Sequence, residues 1–252
     1  MAGPANTDRH TRASVVHWIE AARTEESAQG FARCFVDGIH ADPAAAPSYL
    51  ARLGDLSWPV LTALIADFAH FFEIAHHGWP ASALGIISRD IGLTGESDHE
   101  AVLGAALADV KAMHGLAIAV GSPSLIGGLT NAETAARANH MQLQTLLLSE
   151  RRGCALGTVI AMALAWQPTA HTINGIIRLC RDRDGKSDLP LMSADTPHPA
   201  GSSRLVDYLG AIADSITIRR GLLFGATQAL AIRADLWALL ARRASMVLAA
   251  HA

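Results

Sequence analysis

The sequence predicts an all-α fold, a single-domain bundle of about eight or nine helices around one alanine-rich core. Half of the 252 residues are hydrophobic, whereas only 5% are aromatic and 17% are charged. Alanine is the strongest helix former, and its small side chain lets helices approach closely. Apolar residues recur at spacings of three and four, and the alternation typical of strands is scarce. Together these observations favour helix packed on helix.

The N-terminal part of the chain begins with amphipathic segments and continues with a longer helix. Ser57 is placed to cap that helix, and Pro59 falls in its first turn, where the missing N–H costs nothing. Gly78 and Pro80 end it. The predicted helices cover about residues 11–23, 26–39 and 57–77, with a shorter one ending near 90.

The C-terminal part contains five further predicted helices. Ser97 with Glu100, and Thr130 with Glu133, have the spacing of capping boxes. Pro168 is expected to end the helix that Thr130 opens, since proline cannot donate within a helix. These helices cover about residues 97–121, 130–166, 170–183, 204–220 and 222–250, and a bend at Gly153 or Gly157 is the alternative to a straight helix over 130–166.

The chain is predicted to form one domain over residues 1–252. It shows no repeat period and no shift in composition that would divide it. The segment 182–203 is rich in Asp, Pro, Ser and Gly, and it is the best candidate for a long surface loop or lid before the C-terminal helix pair.

The charge balance argues against a nucleic-acid or broad membrane-surface partner. The formal net charge is −3, and the arginine doublets at 151–152, 219–220 and 242–243 are interpreted as helix ends or outer faces. The charge-free run 153–177 contains too many polar residues for a bilayer span. Three separated cysteines and a polar N-terminal segment predict free thiols and a cytoplasmic protein.

A metal site is predicted on the helix 57–77. At 100° per residue, His70, Glu73 and His77 fall within one narrow sector, where imidazole and carboxylate groups lie side by side. The alternative is an ordinary solvated or interfacial face, because a broad apolar face lies opposite His70 and His77.

Three further polar residues are candidates for a site. Glu150 lies on the apolar stripe of the helix 130–166 and is the candidate catalytic carboxylate; a structural ion pair with another helix is the alternative. His114 lies on an apolar stripe and is a candidate cofactor ligand or a satisfied core histidine. His140, the second candidate cofactor ligand, stands about 15 Å before Glu150 along the helix and can pair with Gln144.

The architecture resembles ferritin-like and haem-oxygenase-like bundles in a general way. Glu73-x-x-His76 has the Glu-x-x-His form of ferritin-like di-iron sites, although that family has two such motifs and this chain has one. The resemblance implies an iron or haem centre and oxygen chemistry.

Two functions follow as hypotheses. The first is a metal- or haem-dependent helical protein, in one form an oxidoreductase acting on a small apolar substrate. The second is a non-enzymatic helical module that binds an apolar ligand or a partner protein. The C-terminal helices are apolar around much of their circumference, so they are either central or the interface of a homodimer.

Overall fold

The structure is a computed structural model that describes residues 17–45, 56, 58–79, 82–83, 85–86, 105–126, 128–184, 189–192 and 199–251. Within these ranges no residue lies in a β-strand, and the predicted all-α bundle is confirmed. A 3₁₀ turn at Pro43–Ala45 follows the second helix. The helices are α1 (17–24), α2 (Ala28–Ala41), α3 (Trp58–Ala75), α4 (Ala105–Val120), α5 (Leu129–Leu147), α6 (Cys154–Asp184), α7 (Pro199–Ile212) and α8 (Ile216–Ala250).

Helix α8 is the central element of the bundle. It packs most extensively against α6, and it also contacts α5, α3 and the 3₁₀ turn. Helix α3 lies against α4 and α5, while α2 packs on α7. Buried apolar residues from α1 through α8 form one hydrophobic cluster. The central position of α8 accounts for its buried apolar residues, whereas Ile216, Phe224, Met246 and Leu248 of the same helix remain exposed.

Glycines bring α6 and α8 into backbone contact. A Cβ atom placed on Gly157 would lie 2.2 Å from the carbonyl oxygen of Leu222, and one on Gly225 would lie 2.0 Å from that of Cys154. The hydroxyl of Thr158 donates to the Gly225 carbonyl oxygen at 3.3 Å. No larger residue fits at this crossing unless the helices separate.

One unbroken helix over 130–166 is wrong, because two helices occupy this region; the bend predicted at Gly153 falls in the turn between them. Helix α5 ends at Leu147, and the turn that follows includes Gly153 at a φ of +82°. Helix α6 then continues through Pro168, where the prediction ended it. Pro168 has no N–H to donate to the Leu164 carbonyl oxygen. The next carbonyl oxygen, that of Ala165, accepts hydrogen bonds from Thr169 Oγ1 at 3.2 Å and Arg233 Nη2 at 2.8 Å. These side-chain donors hold the helical turn next to the proline.

Two predicted helix starts are also corrected. Gly128, in the left-handed region at a φ of +76°, precedes α5 and provides no side-chain cap, so the Thr130–Glu133 capping box does not form. Helix α8 begins after Ser215, whose Oγ accepts from the Ile218 N–H at 3.3 Å, and so it starts six residues earlier than predicted. Ser57, and Ser97 with Glu100, lie outside the described residues.

The predicted loop 182–203 is shorter than expected at both ends, since α6 extends to Asp184 and α7 begins at Pro199. Asn174 of α6 holds the described portion, residues 189–192. Its Oδ1 accepts from the Met192 N–H at 2.7 Å, and its Nδ2 donates to the Met192 carbonyl oxygen at 2.8 Å. Leu189 and Met192 are buried, so this portion packs on the core.

By length and composition alone, α8 would be able to cross a membrane. Just over half (56%) of its most apolar window is buried inside the protein, as in the core helix of a soluble protein. The helix also carries two fully buried arginines, Arg233 and Arg243. These features match the role of α8 as the centre of the bundle.

Candidate functional site

Two of the three predicted metal ligands, His70 and Glu73, lie on α3 and face different neighbours, while the third, His77, follows the end of that helix. His70 Nε2 lies 2.9 Å from Glu133 Oε1 on α5. Glu73 Oε1 lies 3.1 Å from His114 Nδ1 on α4. Across the described ranges, no three His, Cys, Asp or Glu side chains converge as a metal site requires. Instead of sharing one metal ion, His70 and Glu73 therefore form separate pairs with residues of two other helices.

His114 does not face the core, and the expectation that it does is wrong. Its side chain is 64% exposed, and that of its partner Glu73 is 45% exposed. Ile118, assigned to the same apolar stripe, is itself 71% exposed. Helix α4 is apolar on more than one face, and the face that packs is the one that carries Met113 and Leu116.

Glu150 is likewise exposed, because it lies in the turn between α5 and α6. The prediction of a buried carboxylate depended on a continuous helix through this position. Since the helix ends at Leu147, the apolar stripe does not include Glu150. Its carboxylate has water as a partner and needs no buried counter-ion.

His140 of α5 forms a cluster with His76 and His77, which follow the C-terminal end of α3. Of the three, only His76 is buried, whereas His140 is half-buried and His77 is exposed. The ring centroid of His140 lies 6.2 Å from that of His77. The Nδ1 atom of His140 is buried and has no hydrogen-bond partner within the described part of the chain. His76 is buried and stacks on Phe72 with ring centroids 3.9 Å apart, and its Nδ1 donates to the Phe72 carbonyl oxygen at 3.0 Å. Desolvation, together with the charge of Arg233, lowers the pKa of His76 to about 3.

Arg233 lies beside this cluster and was not singled out from the sequence. It is 1% exposed, and its guanidinium carbon lies 4.7 Å from the Trp237 ring centroid. Nε donates to the Ala44 carbonyl oxygen at 3.0 Å, and Nη2 donates to the Ala165 carbonyl oxygen and to Thr169 Oγ1. Burial lowers the pKa of Arg233 to about 9, so it remains charged at neutral pH.

Arg243, the second buried arginine, has a carboxylate partner. Its Nε lies 2.8 Å from Asp67 Oδ2, and its Nη2 lies 3.1 Å from Asp67 Oδ1. Nη2 also donates to the Ser124 carbonyl oxygen at 2.6 Å, and Asp67 accepts from the Ser124 N–H at 2.9 Å. The interpretation of the doublet 242–243 as an outer face is therefore wrong for Arg243.

A periodic pattern identifies both buried arginines once α8 is known to be central. Positions spaced by three and four along α8 form its most buried stripe, and the two arginines occupy steps of that stripe. A charged residue at the same three- and four-residue spacing as the buried leucines therefore indicates a buried charge. The stripe contains Leu222, Ala226, Ala229, Arg233, Leu236, Leu240, Arg243 and Val247.

A cleft of about 570 Å³ lies where α1 meets the first half of α8. Arginines from three segments contribute to it, and its remaining lining is mainly apolar. None of the described lining residues is acidic, although Arg23 forms an ion pair with Glu20 at 2.7 Å. The lining consists of Ile19, Ala22, Arg23, Arg151, Ile216, Arg219, Arg220, Leu223, Phe224, Thr227 and Gln228.

The arginines of this cleft are held to different degrees. Arg219 is fixed by its Nε–H bond to the Ala213 carbonyl oxygen at 2.8 Å and by Nη1 on the Glu25 carbonyl oxygen at 2.8 Å. Arg151 lies over the Phe224 ring at 4.8 Å. A neighbouring cleft of about 470 Å³ shares Arg151 and adds Arg152 and Glu150. Arginines thus concentrate at this end of α8 in a chain whose net charge is −3.

Comparison with protein families gives one match, which covers residues 39–247 and is described as a family of unknown function, DUF6975. The chain belongs to the DUF6975 family. Within the DUF6975 match lie α3 to α8, both buried arginines and the arginines at 151, 219 and 220. Helix α1, which provides Ile19, Ala22 and Arg23 to the cleft, lies before it. Neither the curated proteins nor the solved structures give a match.

Proposed function

We propose that the protein is a non-enzymatic helical module that binds an amphipathic organic anion in the arginine-lined cleft. The observation that carries the proposal is the lining itself: four arginines, of which Arg23 is paired with Glu20, surround an apolar surface, and none of the described lining residues is acidic. A volume of about 570 Å³ falls within the range of small-molecule sites. The sequence-based alternative was a module that binds an apolar ligand, and the proposal adds that this ligand also carries a negative charge.

The cleft combines two kinds of contact. Leu223 and Phe224 of α8 and Ile19 of α1 provide an apolar surface for a hydrocarbon or ring. Guanidinium groups bind carboxylate or phosphate with paired N–H donors, which fixes the orientation of the ligand. Arg219 is already held by backbone carbonyls, so part of the anion site is preorganised.

The metal- or haem-dependent alternative has less support. Its candidate ligands on α3 are engaged in two-member pairs with Glu133 and His114. The candidate catalytic residue Glu150 is exposed in a turn. Iron analysis and an absorption spectrum of the purified protein discriminate between the two, since about one equivalent of iron or a haem band would favour the alternative.

Binding can be measured with the fluorescent amphipathic anion 8-anilinonaphthalene-1-sulfonate. Decyl phosphate and decanoate are expected to displace the dye, whereas decanol, with the same chain and no charge, should compete far less well. The double substitution R151Q/R220Q should weaken dye binding at least about tenfold, since a charge-assisted hydrogen bond is worth about 1.5–3 kcal/mol. Binding should also weaken as salt is raised.

The matched control is R242Q, an exposed arginine of the same helix outside the cleft lining. It removes one positive charge without touching the site, so dye affinity should stay within about twofold of the unmodified protein. Circular dichroism of each variant verifies that the dye reports a folded cleft. Equal competition by decanol and decyl phosphate, or equal affinities of R151Q/R220Q and R242Q, would refute the proposal.

A further inference from the structure

The two buried arginines of α8 present a contrast in charge compensation. Both are 1% exposed, and they lie ten residues apart on the same buried stripe. Arg243 is neutralised by the two carboxylate oxygens of Asp67, although its Nη1, like that of Arg233, is buried without a hydrogen-bond partner among the described residues. Arg233 instead donates to neutral oxygens, the carbonyls of Ala44 and Ala165 and the hydroxyl of Thr169.

One edge of the Arg233 guanidinium is fully used, and the other is not. Nε and Nη2 make all three of its hydrogen bonds, while Nη1 is buried without a partner among the described residues. Nη1 carries two N–H donors that must be compensated, since a buried charged donor without a partner costs several kcal/mol. The rings of Phe72 and Trp237 flank the group, with their centroids 5.9 and 4.7 Å from the guanidinium carbon. Aromatic faces attract a cation, but they carry no negative charge that would neutralise it.

The ionisable groups that act on this region add no negative charge. His76 feels the positive charges of Arg233 and His140, and no carboxylate among the described residues contributes to its environment or to that of Arg233. His76 is neutral at pH 7, with its proton on Nδ1 toward the Phe72 carbonyl oxygen. His140 provides a second buried and unpartnered polar atom, Nδ1.

From this arrangement we propose that the protein binds one small monovalent anion internally, at the Nη1 edge of Arg233 beside His76 and His140. One monovalent anion compensates the single positive charge of Arg233, and chloride, bromide and formate are the small ions tested below. A water molecule would satisfy the N–H donors but would leave the permanent charge of Arg233 uncompensated. The anion fills at Arg233 the role that Asp67 fills at Arg243, and it is independent of the arginine-lined cleft.

Anion binding is tested through thermal unfolding at constant ionic strength. Replacing sodium gluconate by sodium chloride, bromide or formate should raise Tm with a saturable dependence. Each tenfold rise above the dissociation constant should add about 3–5 °C, because the anion binds only the folded chain. Chloride and formate in separate arms distinguish an inorganic ion from a carboxylate.

Variants assign the response to Arg233. R233M removes the charge and should abolish the anion-dependent rise in Tm, whereas the exposed control R242M keeps it. R151Q/R220Q, which disables the cleft, should also keep it, so failure of this proposal and failure of the proposed function are separable. H140L retains Arg233 and should weaken the apparent affinity for the anion several-fold.

Bromide gives a direct readout that does not depend on whether R233M folds. Crystals grown in bromide should show an anomalous peak within hydrogen-bond distance of Arg233 Nη1. A peak there that is lost on exchange into gluconate supports the proposal. A neutral water at Nη1 in bromide crystals, bromide bound only at the surface, or a chloride response unchanged in R233M would overturn it.

Discussion

At the scale of single residues, the buried ion pair between Asp67 and Arg243 holds the loop that follows α4, at Ser124. Asp67 of α3 and Arg243 of α8 are 176 positions apart in sequence, and each binds one side of the Ser124 peptide. Because the pair is almost fully buried, the interaction has no competition from water. Ser124 is therefore fixed to two helices at once, although the loop itself contains few apolar residues.

We expect D67N to destabilise the fold by about 3–5 kcal/mol, since it leaves Arg243 buried and unpaired. The double variant D67N/R243L should be less destabilised than D67N alone, because it removes the stranded charge. Urea unfolding followed by circular dichroism measures both. E133Q, which breaks the half-exposed pair with His70, serves as the control and should cost under about 1 kcal/mol; equal losses in D67N and E133Q would contradict the assignment.

His76 makes stability depend on pH in a defined window. Its pKa falls from 6.5 to about 3 on folding, through burial first and the charge of Arg233 second. Between these two pH values the unfolded chain binds more protons than the folded protein. The free energy of unfolding is therefore unaffected by protonation of His76 above pH 6.5 and decreases as the pH falls toward 3. The slope approaches about 1.4 kcal/mol per pH unit within the window.

The substitution H76N keeps a donor for the Phe72 carbonyl oxygen and removes the titration. The free energy of unfolding of H76N, measured by urea at pH 4 to 7, should therefore vary with pH about 1.4 kcal/mol per unit less steeply than that of the unmodified protein. H114N alters an exposed histidine and should leave the slope unchanged. Parallel curves for H76N and the unmodified protein would show that His76 is not the group that titrates.

At the scale of elements, the contact between α6 and α8 sets the geometry of the bundle. Gly157 on α6 and Gly225 on α8 each face backbone of the opposite helix, and Gly221 faces the carbonyl oxygen of Arg152 in the same way. Such close approach lets the two longest helices bury small residues along their contact. Helix propensity would favour alanine at each of these positions, so packing has overridden it.

G157A is expected to destabilise the protein by about 1–3 kcal/mol or more, because its Cβ would overlap the Leu222 backbone and force the helices apart. G175A on the same helix is the matched control. A Cβ at Gly175 meets nothing within 4 Å, so alanine there should stabilise the helix by about 0.5–1 kcal/mol. Urea unfolding of the two variants should give shifts of opposite sign, and shifts of the same sign would contradict the packing argument.

At the scale of the whole molecule, one hydrophobic cluster joins every described helix. Its tryptophans come from distant parts of the chain, with Trp18 on α1, Trp79 after α3, Trp166 on α6 and Trp237 on α8. We therefore expect a single cooperative unfolding transition, in which tryptophan fluorescence and far-ultraviolet ellipticity coincide. Two separated transitions would instead indicate independent units, contrary to the prediction of one domain over residues 1–252.

The helical class and the importance of the C-terminal helix were accessible from the sequence. Alanine-rich composition and helical spacing are local properties, so they survive without knowledge of any partner. The start of α3 was predicted within one residue, since Pro59 lies in its first turn as expected. Gly153 was predicted as one of two positions for a bend, but the extent of the break at 148–153 was not, because the flanking segments are both helical and a turn there depends on how they pack.

The site residues depended on tertiary structure. Periodicity grouped His70, Glu73 and His77, but it could not show that α3 ends before His77, or that Glu133 and His114 would pair separately with His70 and Glu73. In the same way, the sequence by itself determined that α8 has a buried stripe, whereas only the packed helices decided that Arg233 and Arg243 lie on it. The physical reason is that helical period specifies which residues share a face, while the depth of that face and the groups opposite it come from segments distant in the chain.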